Sequence, residues 1–564
     1  MRRPHRLFPT FASSCRISVV MIGLGLAGAP LIRAQVVVSA CDETHLRAAL
    51  AGSGSVTFTC SGTITLTAAN GGAITISGDT NIDGTGQTVT ISGGNAVQVF
   101  MVPKGVKLKL NQLSISGGIA SAFNSSGGAI FSAGTLIVTN STFSQNGSNF
   151  GGGAIFNDAG TLGLNNSTFF MNGSYYGGGI YNYAGTMTVN NSKFILNNFS
   201  IGVGGGIYNA GRATIAHSTF QANAVGAIAN EGIMSVTTST FQGNTNLPIF
   251  GGGIRNDGVL SVNQSTFFSN SGAGAISNSN MLTVTNSTFL SNSQIFGTGG
   301  GGILNGGTGT VTNSTFAYNG AHGFDNAGTL TLQNTIVADS STQNCSGAGG
   351  SLIDGGGNLD TDGTCGVPSV TPSSLNLATG LGINGGPTPT LALLPGSVAI
   401  ANGVEASCPV SDQRGFPRPF TSACATGAFE PGILFSSLLP KVRVNVAAHD
   451  FAVNGTFNLG PGNNGISPLQ EAVQLRVGSF STVVPAGSFQ QSEDDGGFVY
   501  VRYVNGMPTF QMELQKQEGN KYSFRAAART ATPGLPADNP LIVQLTVGDD
   551  GGTSMVQAKF AHEE

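Results

Sequence analysis

The sequence predicts an all-β protein: a right-handed parallel β-helix with three strands per turn, followed by a C-terminal β-sandwich. Three observations carry that reading. Eight times a Phe is followed three residues later by an Asn: Phe143/Asn146, Phe169/Asn172, Phe194/Asn197, Phe220/Asn223, Phe241/Asn244, Phe267/Asn270, Phe289/Asn292 and Phe316/Asn319. Successive phenylalanines lie about 20 to 27 residues apart, the period of stacked-repeat architectures. Between them apolar and polar residues alternate at period two, as in Thr135-Leu136-Ile137-Val138-Thr139, with no helical pattern. Composition agrees: 9% of the 564 residues are charged and 86 are Gly, yet 40% are hydrophobic. A solenoid faced with Thr, Ser and Asn has that composition without being disordered.

Each repeat supplies three strand-like pieces. A Gly-rich entry leads to a buried aliphatic and an Asn, as in Gly178-Gly179-Ile180-Tyr181-Asn182; the alternating piece follows; an Asn-Ser-Thr-Phe piece closes the turn, as at Asn286 to Phe289. Such pieces are too short to be stable alone, so each turn must hydrogen-bond to the turns above and below at about 4.8 Å. Alignment gives inward columns: Ile130, Ile155, Ile180 and Ile207 onward; the eight phenylalanines; and Leu136, Leu162, Met187 and their successors. Asn recurs in three further columns, where it is expected to adopt the left-handed backbone of a tight corner and to pair with its next copy.

The N-terminus has the form of an export signal over residues 1–34. Arg2, Arg3, Arg6 and Arg16 precede an apolar run from Ile17 to Leu31, and Ile32-Arg33-Ala34 suits cleavage before Gln35. That run is shorter than the roughly 20 residues a membrane span needs, so no transmembrane anchor is expected. Six cysteines follow the signal in close pairs, read as the disulfides Cys41–Cys60, Cys345–Cys365 and Cys408–Cys424 of an exported chain. Val38-Ser39-Ala40-Cys41 has the look of a lipoprotein box, but a lipidated Cys41 would leave Cys60 alone.

The organisation expected is a β-helix over 35–430 with disulfide-closed ends, a linker over 431–445 and a sandwich over 446–564. Cys41 to Leu50 reads as a short helix capping one end of the solenoid, which otherwise exposes unpaired backbone. In the last segment, alternating strands at Phe498 to Val504, Met512 to Leu514 and Leu541 to Val547 are punctuated by turns at Asp494–Gly497, Asn505-Gly506 and Asp549–Gly552.

The paired Gly-Gly-Ala-Ile motifs (127–130 and 152–155) and Phe-x-x-Asn resemble the repeats of the chlamydial polymorphic outer-membrane proteins, which are adhesins. Over about residues 41–430 the chain more closely resembles the bacterial choice-of-anchor Q, right-handed β-helix family. The matching segments are Cys41 to Leu50, Gly385 to Gly403, Asp412-Gln413-Arg414-Gly415-Phe416-Pro417-Arg418 and Gly427-Ala428-Phe429-Glu430. Ala425-Thr426 departs from the family, which usually has an acidic and an aliphatic residue there. The resemblance implies fold and export, and no activity. The chain ends at Glu563-Glu564 without a sorting signal, so release, or retention through the sandwich, is expected.

Many β-helices cleave polysaccharides, which requires clustered carboxylates beside a base. Between residues 105 and 340 the tight grouping is Glu231 with Asp257, one turn apart, with Arg255 just before. Backbones about 4.8 Å apart would suit a retaining glycosidase; a solvated corner pair is the competing reading. Asp360-Thr361-Asp362-Gly363 reads as a turn in preference to a calcium loop, and no metal or cofactor is expected. Two outward patterns suggest binding. Phe131, Phe156, Tyr181 and Tyr208 follow the buried Ile on successive turns, with Tyr175, Tyr176 and Tyr183 near, and an open aromatic strip would stack sugars or contact a protein. If outer loops such as Asn146 to Phe150 fold over it, it is packing. Thr142, Thr168, Thr219, Thr240, Thr266, Thr288 and Thr315 form a hydroxyl face, ordinary for exposed strands, with ice binding the alternative. The net charge of −4 gives no reason to expect nucleic acid, and no basic stripe is visible. The reading is a secreted or cell-surface, non-catalytic protein that binds a polysaccharide or surface receptor; a polysaccharide lyase or hydrolase is the alternative.

Overall fold

The computed structural model describes residues 35–561 except 123–124, 199–201, 247–249, 295–299, 348, 420–422, 447, 462, 464, 493–495 and 530–538. The expected export signal, Asp494-Asp495 and Glu563-Glu564 lie outside the described residues.

Three parallel sheets of 14, 13 and 12 strands form a β-helix with three strands per turn. The register is the one the columns require. Ile130 pairs with Ile155 and that with Ile180, Leu136 with Leu162 and that with Met187, Phe143 with Phe169 and that with Phe194. From Phe143 to Phe316 the eight rings are fully buried, with centroids 4.3 to 5.0 Å apart and planes within 7° of parallel. Strand spacing imposes that stack: identical side chains in identical rotamers must repeat at the hydrogen-bonding distance.

Asparagine plays two different parts at the corners. The column Asn140, Asn166, Asn191, Asn286, Asn313 and Asn334, with His217, Thr238 and Gln264, does take the left-handed backbone, φ 44–51°. The other two columns do not. Asn157, Asn182, Asn209, Asn230, Asn256 and Asn278 are buried, and each amide donates to the carbonyl of the next at 2.7–2.8 Å. The Asn after each Phe from Asn146 to Asn292 does the same and also donates to a main-chain carbonyl, as Asn172 does to Phe143 O at 3.0 Å. There the left-handed residue is the one before it: Gln145, Met171, Leu196, Ala222, Ser269, Ser291 or Tyr318. The sequence expectation of a left-handed Asn is therefore corrected at two corners of three. Buried ladders satisfy polar groups that a dry corner would otherwise strand.

All three disulfides form, with Cα–Cα separations of 5.6, 4.9 and 6.0 Å. The helix Glu43–Leu50, capped by Asp42 accepting from His45 N, buries Leu46, Ala49 and Leu50 over the first turns. Glu43 anchors it: burial raises its carboxyl, but Asn70, Thr67 and Arg47 donate to it and hold it lower, at about 2. At the other end, residues 370–419 and 423–430 fold back along the outside of the Phe-bearing sheet. Leu375, Leu391, Leu393 and Phe429 pack there on Leu290, Ala317 and Ile336.

The last segment is a sandwich. Its five-stranded sheet runs, in spatial order, Ile433–Leu434, Asp550–Val556, Leu541–Val547, Val473–Val477, Phe480–Val484. The seven-stranded sheet runs Gln490–Gln491, Phe498–Val504, Met507–Lys516, Lys521–Arg529, Asp450–Asn458, Ser437–Asn445, Lys559–Ala561. Phe451, Phe457, Leu475, Phe510, Phe524 and Val543 share the core between them. The expected linker 431–445 is corrected: Ile433–Leu434 and the nine-residue strand Ser437–Asn445 belong to the sandwich itself. Its alternation, with Leu438, Val442 and Val444 inward, is that of a strand. Asp549–Gly552 is likewise more than a turn, since Asp550 opens a strand.

Candidate functional site

The aromatic strip is outside the helix core but not open. Tyr181 and Tyr208 are 6% and 5% exposed, and they form a second apolar cluster with Phe156 and Ala229, covered by Phe150, Tyr176 and Val203. Gly151 makes the covering possible, because a Cβ there would overlap the Tyr181 ring. Burial, then the Glu231 charge, pushes the Tyr181 hydroxyl up to about 12. Tyr208 is raised further by burial and by the Glu231 carboxylate. As an open four-turn platform the strip is overturned at Phe156, Tyr181 and Tyr208, which Phe150, Tyr176 and Val203 cover.

One end stays accessible at Phe131 and Tyr183, on either side of the buried Phe156. Phe131, Phe156 and Tyr183 stack in sequence, Phe131 to Phe156 at 5.4 Å and Phe156 to Tyr183 at 6.1 Å, with planes within 21°. Tyr183 is 50% exposed, and Met101 on the preceding turn is also exposed. Together with Gln98, Ser125, Ser126 and Asp158 they line a cleft of about 460 Å³. The Gln98 amide donates to Ser126 O at 3.0 Å, which fixes that rim. The cleft therefore has aromatic faces on one side and an amide, hydroxyls and a carboxylate on the other, the composition of a small-ligand site. Sequence reading reached Phe131, Phe156 and Tyr183. It missed Met101, Gln98 and Asp158, although Met101 shares the Phe131 column.

Glu231 and Asp257 do lie one rung apart, each directly after the paired Asn230 and Asn256. Their side chains are committed to different partners. Asp257 Oδ2 accepts from Arg255 Nε at 2.6 Å, and Arg255 also sits 4.0 Å from the centre of the Phe250 ring. The Glu231 charge instead acts on the Tyr181 and Tyr208 hydroxyls, raising both. Neither lines the aromatic cleft.

Three of the seven threonines of the hydroxyl face are covered. Thr266 donates to Pro389 O at 2.6 Å, Thr288 to Gln413 Oε1 at 2.6 Å, and Thr315 accepts from Ala428 N at 2.9 Å. The expected continuous hydroxyl face thus ends at Thr240. The Asp412-Gln413-Arg414-Gly415 segment is the strap that covers it. Arg414 binds Asp412 at 2.8 Å and the Asn384 and Gly432 carbonyls, while Arg418 binds Glu430 at 2.7 Å, all buried. Asp360 is buried and accepts from Cys365 N, Asn344 Nδ2 and Asp362 N, so its carboxylate closes the loop around the second disulfide. Among the described residues no group of three metal-ligating side chains occurs, and no helix is long and apolar enough to cross a membrane.

No protein-family model, no curated protein and no solved structure matches the chain.

Proposed function

We propose that this is an exported or cell-surface, non-catalytic β-helix protein that holds a glycan of a polysaccharide or surface receptor in the Phe131–Tyr183 cleft. The observation that carries the reading is the cleft itself: stacked rings beside Gln98, Ser125 and Asp158. Aromatic faces pack against the C–H face of a sugar ring, and the polar rim pairs with its hydroxyls. Three disulfides support an oxidising compartment. The competing polysaccharide-cleaving function needs Glu231 and Asp257 to face one ligand. Asp257 paired with Arg255, and a Glu231 charge that faces the covered Tyr181 and Tyr208, argue against it.

A panel of neutral and acidic oligosaccharides, followed by calorimetry on those that bind, tests the reading. Tyr183→Ala should weaken binding about tenfold, the worth of one stacked ring. Tyr175→Ala, exposed but outside the cleft, should change nothing. Binding indifferent to Tyr183→Ala and Phe131→Ala, or turnover lost in Glu231→Gln, would overturn it.

A further inference from the structure

The sandwich is acidic overall but its charges are segregated. From Pro431 onward the sequence has nine Lys and Arg against twelve Asp and Glu. Six of those nine bases are exposed on the outer face of the seven-stranded sheet: Lys441, Arg443, Lys521, Arg525, Arg529 and Lys559. Alternation fixes their side, since Val442, Val444, Tyr522, Phe524, Ala526 and Ala528 point into the core. Asp450 and Glu513 are the acids on the same face, and none of the six bases forms an ion pair among the described residues.

The register assembles them into rows. Lys441 pairs with Asn454, Asn454 with Arg525, and Arg525 with Glu513. The neighbouring row is Arg443, Ala452, Ala527 and Gln511. The small Ala452 and Ala527 in the middle of the second row leave a recess beside Arg525, which stands over Asn454 and Glu513 in the first. This trough is seen as three adjoining depressions of about 380, 730 and 330 Å³, the third sharing Ala452, Gln511 and Ala527 with the first and Asn454, Glu513 and Arg525 with the second. From Asp450 to Thr456 the floor is roughly 20 Å long at about 3.4 Å per residue.

We propose that this trough binds an extended carboxylated polysaccharide, a polymer of uronic-acid type. Arginine forks recognise carboxylates bidentately, and Asn454, Gln511 and Ser523 pair with hydroxyls between them. Single-stranded nucleic acid is disfavoured because the trough floor has no aromatic platform for bases. An anionic bilayer is disfavoured because a flat surface does not enter a recess. The site is separate from the aromatic cleft and does not depend on it.

The test titrates the full chain with galacturonate oligomers of defined length and with their uncharged methyl esters. The acid form should bind and the ester should not, and affinity should fall about fivefold as NaCl rises from about 50 to about 200 mM. Arg525→Gln should lose about tenfold, one charge-assisted contact, and Glu513→Gln should bind more tightly. The opposite sign of these two exposed changes separates recognition from misfolding. Tyr183→Ala should leave this binding intact, which distinguishes it from the cleft. Equal affinity for the ester, for single-stranded DNA of matched charge or for anionic vesicles overturns the proposal, as does an unchanged affinity in Arg525→Gln.

Discussion

In the β-helix a side chain's neighbours are its own counterparts one turn away, whereas in the sandwich they arrive from strands far apart in the chain. Phe241 lies between Phe220 and Phe267, in successive repeats. Lys441 reaches Arg525 only through Asn454. One region is organised by local repetition and the other by long-range pairing. The helix spends its polar residues on buried ladders and keeps five bases in the turns between 105 and 340; the sandwich gathers six on one face. A stacked column propagates damage along the spindle, while a sandwich face tolerates exchange of single outward residues.

The largest expected effect breaks the column. Phe241→Ala should destabilise the β-helix by about 4 kcal/mol in urea unfolding, with the sandwich's own transition unmoved. Glu430→Ala strands the buried Arg418 guanidinium at the junction of the strap and should cost about 3 kcal/mol. Hydrogen exchange around Thr266 and Thr288 should then rise, because the strap covers them.

Two carboxylates sharpen the contrast through pH. Asp550 in the sandwich is fully buried with no hydrogen bond to either oxygen among the described residues; burial, then Asp549 and Glu471, pushes it up to about 7 from 3.8. The folded chain thus keeps a proton that the unfolded chain has released, so stability falls as pH rises from about 4 through about 7. Asp550→Asn should flatten that slope in thermal melts. Glu43 in the helix cap has the opposite sign. Held down at about 2 against an ordinary 4.5, it contributes stability above pH 4.5 that is lost as pH falls toward about 2. Exchange at Leu46 should accelerate over that acid window, and Glu43→Gln should remove the dependence. The smallest effect is Arg255→Ala, a part-exposed pair worth about 0.5 kcal/mol, with glycan binding unchanged.

The helix was legible because repetition prints its contacts in the sequence: the Phe, Ile and Leu columns and the close cysteine pairs all follow from spacing. What spacing cannot print is how loops and the returning strap cover an outward column. Tyr181 and Tyr208 carry the same alternation signal as an exposed residue, yet Phe150 and Tyr176 lie over them. Thr266 and Thr288 look like Thr142 in sequence, but partners at Pro389 and Gln413 bury them. The basic trough was invisible for the converse reason. Its bases are scattered from Lys441 to Arg529, and only strand pairing brings them together.

Hydrogen exchange on the full chain, with and without oligosaccharides, tests the division of labour most directly. A bound neutral glycan should protect peptides spanning residues 98–101, 131 and 156–183, and a carboxylated one those spanning 441–454 and 511–527. Protection centred instead on Glu231 and Asp257, with cleavage of the ligand, would contradict the account.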